Sequence, residues 1–364
     1  MMQERQIGGT SCMDLPAPLA WLVDEAGALH APDQFLADLG ARLLADDLPL
    51  AGAALTLAAP HPIIARRTWL WRAATGAVVE ALGFASTPLS QAGHKWLAEL
   101  GPVHEDTVGS APDSPVLAWA ATRAVAPAET DRLKEVARFA GAPLAALTAR
   151  AGLAALLEAY LGRRSAARVR AGALRRGTGE TIRAALLFAD LRDFTVMSET
   201  TEPAVMIAAL DAWFDRVAGA VHAFGGEVLK FIGDGVLAIF PVTGTPARAC
   251  EAALRAVVAA RAGMAHLNAG RQQQQLPPLS FGAALHLGEI LWGNIGASDR
   301  LDFTAIGSAV NLVSRLEGLC KSLGRSVLIS GAVAAETTRP LQPLGEHALR
   351  GIAVPCAVFT LPEA

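Results

Sequence analysis

Two acidic residues, each at the end of an apolar strand-like run, constrain this chain more than any other feature. The run from Ile182 to Ala189, interrupted only by Arg183, stops at Asp190. Farther on, Glu227 to Ile232 and Val236 to Phe240 read as strands joined by Gly233-Asp234-Gly235, a hairpin signal. A carboxylate placed straight after a buried strand is costly without a partner. Two of them on adjacent strand ends can converge on hard divalent cations, which take oxygen ligands. Either aspartate alone reads as an ordinary turn residue; the pair, with its surroundings, does not.

The surroundings alternate strand and helix signals across 181–364. Helical patterns cover Pro203 to Phe224, stopping at Gly225-Gly226, and Pro246 to Leu267. A polar loop, Gln272 to Gln275, is closed by Pro277-Pro278. Strands are expected over 279–287, 289–295 and 302–306, then a helix from Ser308 to Leu323, a strand from Ser326 to Ser330 and a final strand pair. The order β-α-β-β-α-β describes an α+β sandwich of the ferredoxin-like kind.

Upstream, 15–143 mixes short apolar runs with Gly and Pro and holds Trp21, Trp69, Trp71, Trp96 and Trp119. Ile63-Ile64 and the Trp69–Trp71 alternation suggest strands, and Glu129 to Ala140 a helix that Pro143 interrupts. Its histidines, His61, His94 and His104, lack ligand spacing and read as ordinary residues. Residues 144–180 form a helical connector: Leu153, Leu156, Leu157 and Tyr160 fall at helical spacing, and Arg163 to Arg176 gives a solvated basic face.

With 364 residues there is room for about two domains. Apolar residues at 52% and charged ones at 18% support a sizeable core, and a net charge of -3 argues against nucleic acid or an anionic membrane as main partner. Cys12, Cys250, Cys320 and Cys356 are scattered without a CxxC pair, which indicates neither a zinc site nor a disulfide framework. The first residues lack a signal-peptide pattern. The longest apolar stretches are broken, Leu48 to Pro60 by His61-Pro62 and Leu144 to Leu161 by Arg150 and Glu158, so no membrane span and a cytoplasmic location are expected.

Other residues carry chemistry in the same half. After Asp190 comes Leu191-Arg192-Asp193-Phe194-Thr195, a turn into a helix whose backbone N–H groups can hold a triphosphate. Lys230 on an otherwise apolar strand either snorkels to solvent or offers a donor to a purine acceptor such as adenine N1. The Thr304 hydroxyl is either an ordinary strand group or an acceptor for an adenine amine. Asn311 and Arg315, four apart on a helix, share a face, and the guanidinium fork suits phosphate.

Taken together these strings resemble the class III adenylate and guanylate cyclases: Phe188-Ala189-Asp190-Leu191-Arg192-Asp193-Phe194-Thr195; Leu229-Lys230-Phe231-Ile232-Gly233-Asp234-Gly235; Gly293-Asn294-Ile295-Gly296; and Asp302-Phe303-Thr304-Ala305-Ile306-Gly307 running on to Asn311 and Arg315. The resemblance covers 181–364. It implies that Asp190, Leu191 and Asp234 hold two Mg2+ or Mn2+ ions, and that Lys230 and Thr304 select the purine. Phe194 and Thr195 lie against the substrate. Asn311 orients the ribose, Arg315 stabilises the transition state, and Arg350 in Leu349-Arg350-Gly351 matches a phosphate-contacting lysine. Threonine at 304 resembles the class IIIb subgroup. The activity implied is conversion of ATP to cyclic AMP and pyrophosphate by a homodimer with shared active sites. The part before it faintly resembles a GAF-like sensory domain, which would make 15–143 a regulatory α/β domain open to a small-molecule or protein regulator. A guanylate cyclase, a diguanylate cyclase and a catalytically weak nucleotide-binding homologue are the competing readings.

Overall fold

The computed structural model describes residues 15–58, 64–84, 91–111, 113–172 and 175–362. Ile63, His61 and Cys12 lie outside them. The chain divides into two compact units, Met1–Leu156 and Leu157–Ala364.

The first unit opens with helices α1 (Ala17–Asp24) and α2 (Pro32–Ala45), then strands β1 (Leu50–Ala58), β2 (Ile64–Arg72) and β3 (Val78–Phe84). Helix α3 (Gln91–Ala98), strands β4 (Val103–Thr107) and β5 (Val116–Ala121), and helix α4 (Pro127–Phe139) follow. The strands form one antiparallel sheet in the order β3-β2-β1-β5-β4. The expected Trp69–Trp71 alternation is there, but Leu70 between them is buried too. Successive strand residues face opposite ways, and this sheet is covered on both sides: Trp69 and Trp71 pack with α2 residues such as Leu36 and Leu39, Leu70 with Leu97 of α3. This is an α+β unit; a GAF identity is not established by it.

Pro143 does not end a helix. It sits in the first turn of α5 (Gly141–Leu161), where a missing N–H costs nothing. Arg150 and Glu158 do not disqualify α5 as a span by length and composition either: its best window has a mean hydropathy of 1.4 and is 11% buried. Arg150 Nη1 donates to the carbonyls of Gly27 and Leu29 at 2.8 and 2.7 Å. After Gly162, at φ 78°, the chain starts the short helix α6 (Arg163–Arg170).

The second unit continues with β6 (Gly179–Leu191), α7 (Phe194–Thr200), α8 (Pro203–Ala223), β7 (Glu227–Ile232), β8 (Gly235–Pro241) and α9 (Pro246–Gln273). It ends with β9 (Phe281–Gly296), β10 (Leu301–Ile306), α10 (Ser308–Ser322), β11 (Val327–Ser330), α11 (Gly331–Ala334), β12 (Gln342–His347) and β13 (Cys356–Thr360). The sheet runs β12-β13-β11-β9-β6-β8-β7, with β10 paired to β9. Its inner order β9-β6-β8-β7 is the expected ferredoxin-like arrangement. Two expectations change. The strands placed at 279–287 and 289–295 are one strand, because Gly288 continues the β6 ladder opposite Ala184. Helix α9 runs past Leu267 and takes in Gln272 and Gln273, which had read as loop.

Strand β6 sets the site. Ala185, Leu187, Ala189 and Leu191 face a core built with α8 and α9. Ala184 and Leu186 face the opposite core, lined by Val313, Leu316 and Cys320 of α10. Strand alternation puts Asp190 on that second face.

Candidate active site

Asp190 is the penultimate residue of β6, and Asp234 lies in the turn between β7 and β8. Gly233 takes the positive φ of 62° that the turn needs. Trp213, fully buried on α8, donates its indole N–H to the Asp234 carbonyl at 2.9 Å and so ties the turn down. A Cβ added at Gly235 would lie 3.4 Å from Asp190 Oδ1, so strand end and hairpin are in contact.

The two carboxylates are hydrogen-bonded to each other. Burial, then the hydrogen bond and negative charge of Asp234, push Asp190 up to about 7, against a smaller opposing hydrogen bond from the Leu191 main chain. Two half-buried acids at this spacing share a proton rather than ionise together. A divalent cation relieves the same repulsion by replacing the proton, so the donor set fits a hard metal ion. Among the described residues there is no group of three or more His, Cys, Asp or Glu placed to hold a metal. The protein's side chains thus supply two ligands, and phosphate or water oxygens would supply most of the rest.

A third acid stands behind them. Glu317, 6% exposed on α10, has its Oε1 3.5 Å from Nη2 of Arg192. Neither atom completes a hydrogen bond. Burial raises the Glu317 pKa, Arg192 opposes this, and Asp234 adds to it. The pair occupies space left by Gly282, the residue opposite Asp190 on β9: a Cβ there would fall 2.1 Å from Arg192 Nη2 and 2.2 Å from Glu317 Oε1. Sequence reading passed over Glu317. The available signal was a carboxylate at a position one turn after Val313, on the apolar face of the helix.

The remaining candidates fall into separate groups. Lys230, half-buried on β7, makes an ion pair with Asp302 of β10, two residues before Thr304. Asn311 and Arg315 are exposed on α10, on the side away from its core residues Val313, Leu316 and Cys320. Arg315 Nη1 donates to the Arg350 carbonyl at 3.3 Å, which brings Arg350 beside it. Leu191 is buried, so it has only its main chain to offer; Phe194 packs on the α8–α9 core and Thr195 is exposed at the start of α7. Among the described residues of one chain, no hydrogen bond or ion pair links Asp190 or Asp234 to Lys230, Thr304, Asn311 or Arg315.

Comparisons with known proteins bear on the same segment. The family model of the adenylate and guanylate cyclase catalytic domain matches residues 179–352. Adenylate cyclase 1 of Rhizobium meliloti (strain 1021) is 35% identical over 167 residues, 45% of this chain and 25% of that protein. An adenylate cyclase of Anabaena cylindrica is 34% identical over 168 residues, 45% of this chain and 32% of that one. The chain therefore spans only a quarter to a third of the length of these relatives. The solved structure of a bacterial light-regulated adenylyl cyclase aligns with a TM-score of 0.50 at 19% identity, over 74% of this chain and 88% of that one, a likeness of fold.

Proposed function

The chain carries a class III nucleotidyl cyclase catalytic domain of the adenylate and guanylate cyclase family in residues 179–352, and on that premise we propose that it converts ATP to 3′,5′-cyclic AMP and pyrophosphate as a homodimer. The observation that carries the reading is the Asp190–Asp234 pair, two acids in mutual contact at the end of buried strands.

In the reaction the ribose 3′-oxygen bonds to the α-phosphorus, the bond from that phosphorus to the bridging oxygen breaks, pyrophosphate leaves and the 3′-hydroxyl proton is lost. Two Mg2+ or Mn2+ ions, held by Asp190, Asp234 and the Leu191 main chain, supply acidification of that hydroxyl and charge neutralisation on the phosphates. The protein's own side chains do the positioning. Lys230 donates to adenine N1, and the Thr304 hydroxyl accepts from the 6-amino group. Asn311 orients the ribose, and Arg315 with Arg350 meets the charge that develops on the phosphates. The turn that carries Phe194 and Thr195 lies against the triphosphate. Cyclase catalytic domains work as dimers, and the distribution of residues suits one: acids in one group, Asn311 and Arg315 exposed in another, with no contact between the groups inside one chain. We assign the acids to one subunit's half of each site and Lys230, Thr304, Asn311 and Arg315 to the other's.

Residues 15–143 are assigned a regulatory role because the chain passes from them through α5 and α6 directly into the strand that bears Asp190. Use of ATP assigns the catalytic unit to the cytoplasm. The deciding measurement is chromatographic detection of cyclic AMP after incubating the full chain with ATP and Mg2+ or Mn2+. No product with either ion, from folded dimeric protein, refutes the activity. Unchanged turnover and regulation after removal of 1–140 refutes the regulatory role.

A further inference from the structure

We infer that Asp302 is a base-selecting residue, which fixes the Lys230 ammonium so that it reads adenine rather than guanine. The inference rests on the proposal that Lys230 meets the purine.

Strand β10 pairs with β9, Asp302 opposite Ile295 and Thr304 opposite Gly293. Phe303 and Ala305 enter the core on one face of β10. Strand alternation therefore puts Asp302 and Thr304 together on the other. On β7 the register slips between Val228 and Lys230, a bulge of the kind that re-aims a side chain. The re-aimed ammonium meets the Asp302 carboxylate, with side-chain exposures of 38% for Lys230 and 42% for Asp302. Lys230, Asp302 and Thr304 thus form one polar strip on the outside of an otherwise apolar hairpin.

The chemistry follows from the donor count. A lysine ammonium has three N–H donors on a flexible four-carbon stem. One goes to Asp302; among the described residues no second acceptor takes the others. Untethered, such a group reaches adenine N1 or guanine O6 with little preference. Tethered at one point, it meets an acceptor at one place only. The pair also occupies the carboxylate. A free carboxylate in a purine site would accept from guanine N1–H and its 2-amino group, and Lys230 withholds Asp302 from that use.

The test is the ratio of ATP to GTP, read both as kcat/KM for cyclic product and as direct binding of each nucleotide by calorimetry. Wild type should favour ATP. Asp302→Ala should lower the ATP/GTP ratio by at least about tenfold, the scale of one charge-assisted hydrogen bond, chiefly through KM. Lys230→Ala should turn the preference toward GTP while Asp302 is present, and Lys230→Ala combined with Asp302→Ala should lose that preference. A merely structural Asp302 would weaken both nucleotides alike. A ratio in Asp302→Ala within about twofold of wild type, below the effect of one hydrogen bond, overturns the inference, as does a wild type that treats the two alike. Binding that follows the expected ratios without turnover in any variant refutes the cyclase activity and supports the base-reading role. Binding of neither nucleotide overturns both.

Discussion

The two units use the same architecture to different ends. Each is an antiparallel sheet buried on both faces, so each has strands with almost no room for polar side chains. In the first unit the polar groups that enter the sheet are paired: the Thr56 and Thr68 hydroxyls face each other across β1 and β2 at 3.0 Å. In the second, Asp190 shares a proton with another acid, and Glu317 and Arg192 lie 3.5 Å apart without completing a hydrogen bond. The lesson is that buried polarity by itself marks nothing. A satisfied pair fixes register, whereas acids crowded against each other mark a place prepared for a ligand.

The largest expected effect breaks this comparison outright if it fails. Asp190→Ala and Arg315→Ala should each cost at least a hundredfold in turnover, Arg315 about 3–4 kcal/mol of barrier by analogy with other preorganised donors. Mixing the two variants should restore activity through heterodimers with one intact site. No recovery after confirmed subunit exchange refutes the shared site.

A matched pair of glycines sharpens it. Gly40 on α2 faces the Trp71 ring, where a Cβ would come within 2.6 Å, and Gly282 faces the Arg192–Glu317 pair. Overpacking either position should cost about 1–3 kcal/mol of stability. Differential scanning calorimetry should show both losses. Only Gly282→Ala should also lower turnover per folded molecule; an equal loss in Gly40→Ala would mean that Gly282 is structural alone.

Proton linkage should have opposite signs in the two units. Asp190, held at about 7 against an ordinary value of 3.8, keeps in the folded state a proton that the unfolded chain has released. Its metal-free unit should therefore lose stability as pH rises from about 4 to 7, and Mg2+ or Mn2+ should offset the loss. Glu129 of the first unit is held down to about 2, chiefly by its hydrogen bond with Arg123. Its contribution is present above the ordinary carboxylate range and disappears as pH falls toward 2. Melting curves across pH, with and without metal, check both slopes, and Asp234→Asn should flatten the first. The smallest effect is Thr56→Val, which strands the Thr68 hydroxyl and should lower the first unit's stability by about 1–2 kcal/mol without touching turnover.

How much of this could be read from the chain alone depends on range. Asp190 and Asp234 were legible because each interrupts a local apolar pattern, and the hairpin signal around Gly233 set the second beside its strand. Lys230 was legible as a charge on an apolar strand. Its partner was not: Asp302 reaches it only because β10 folds back along β9, a pairing 72 positions away. Glu317 was hidden because a lone acid on a helix reads as surface until the opposing Gly282 is known. The single long β9 was misread for a local reason, since Gly288 looks like a break yet continues the ladder. Pro143 misled in the same way, because its effect depends on which turn of the helix it occupies.

One joint in the second unit has a mechanical consequence. The chain turns into α6 at Gly162, where a Cβ would come 3.0 Å from Glu227 Oε1, and that oxygen gathers the N–H groups of Arg164 and Ser165 at 3.1 and 3.3 Å. Glu227 is also the first residue of β7, three positions before Lys230. A rotation that reaches Gly162 therefore meets a swivel on one side and a clasp on the other. With the clasp closed, torque passes into the strand that reads the base; with it open, the first turn of α6 unwinds and the torque is spent.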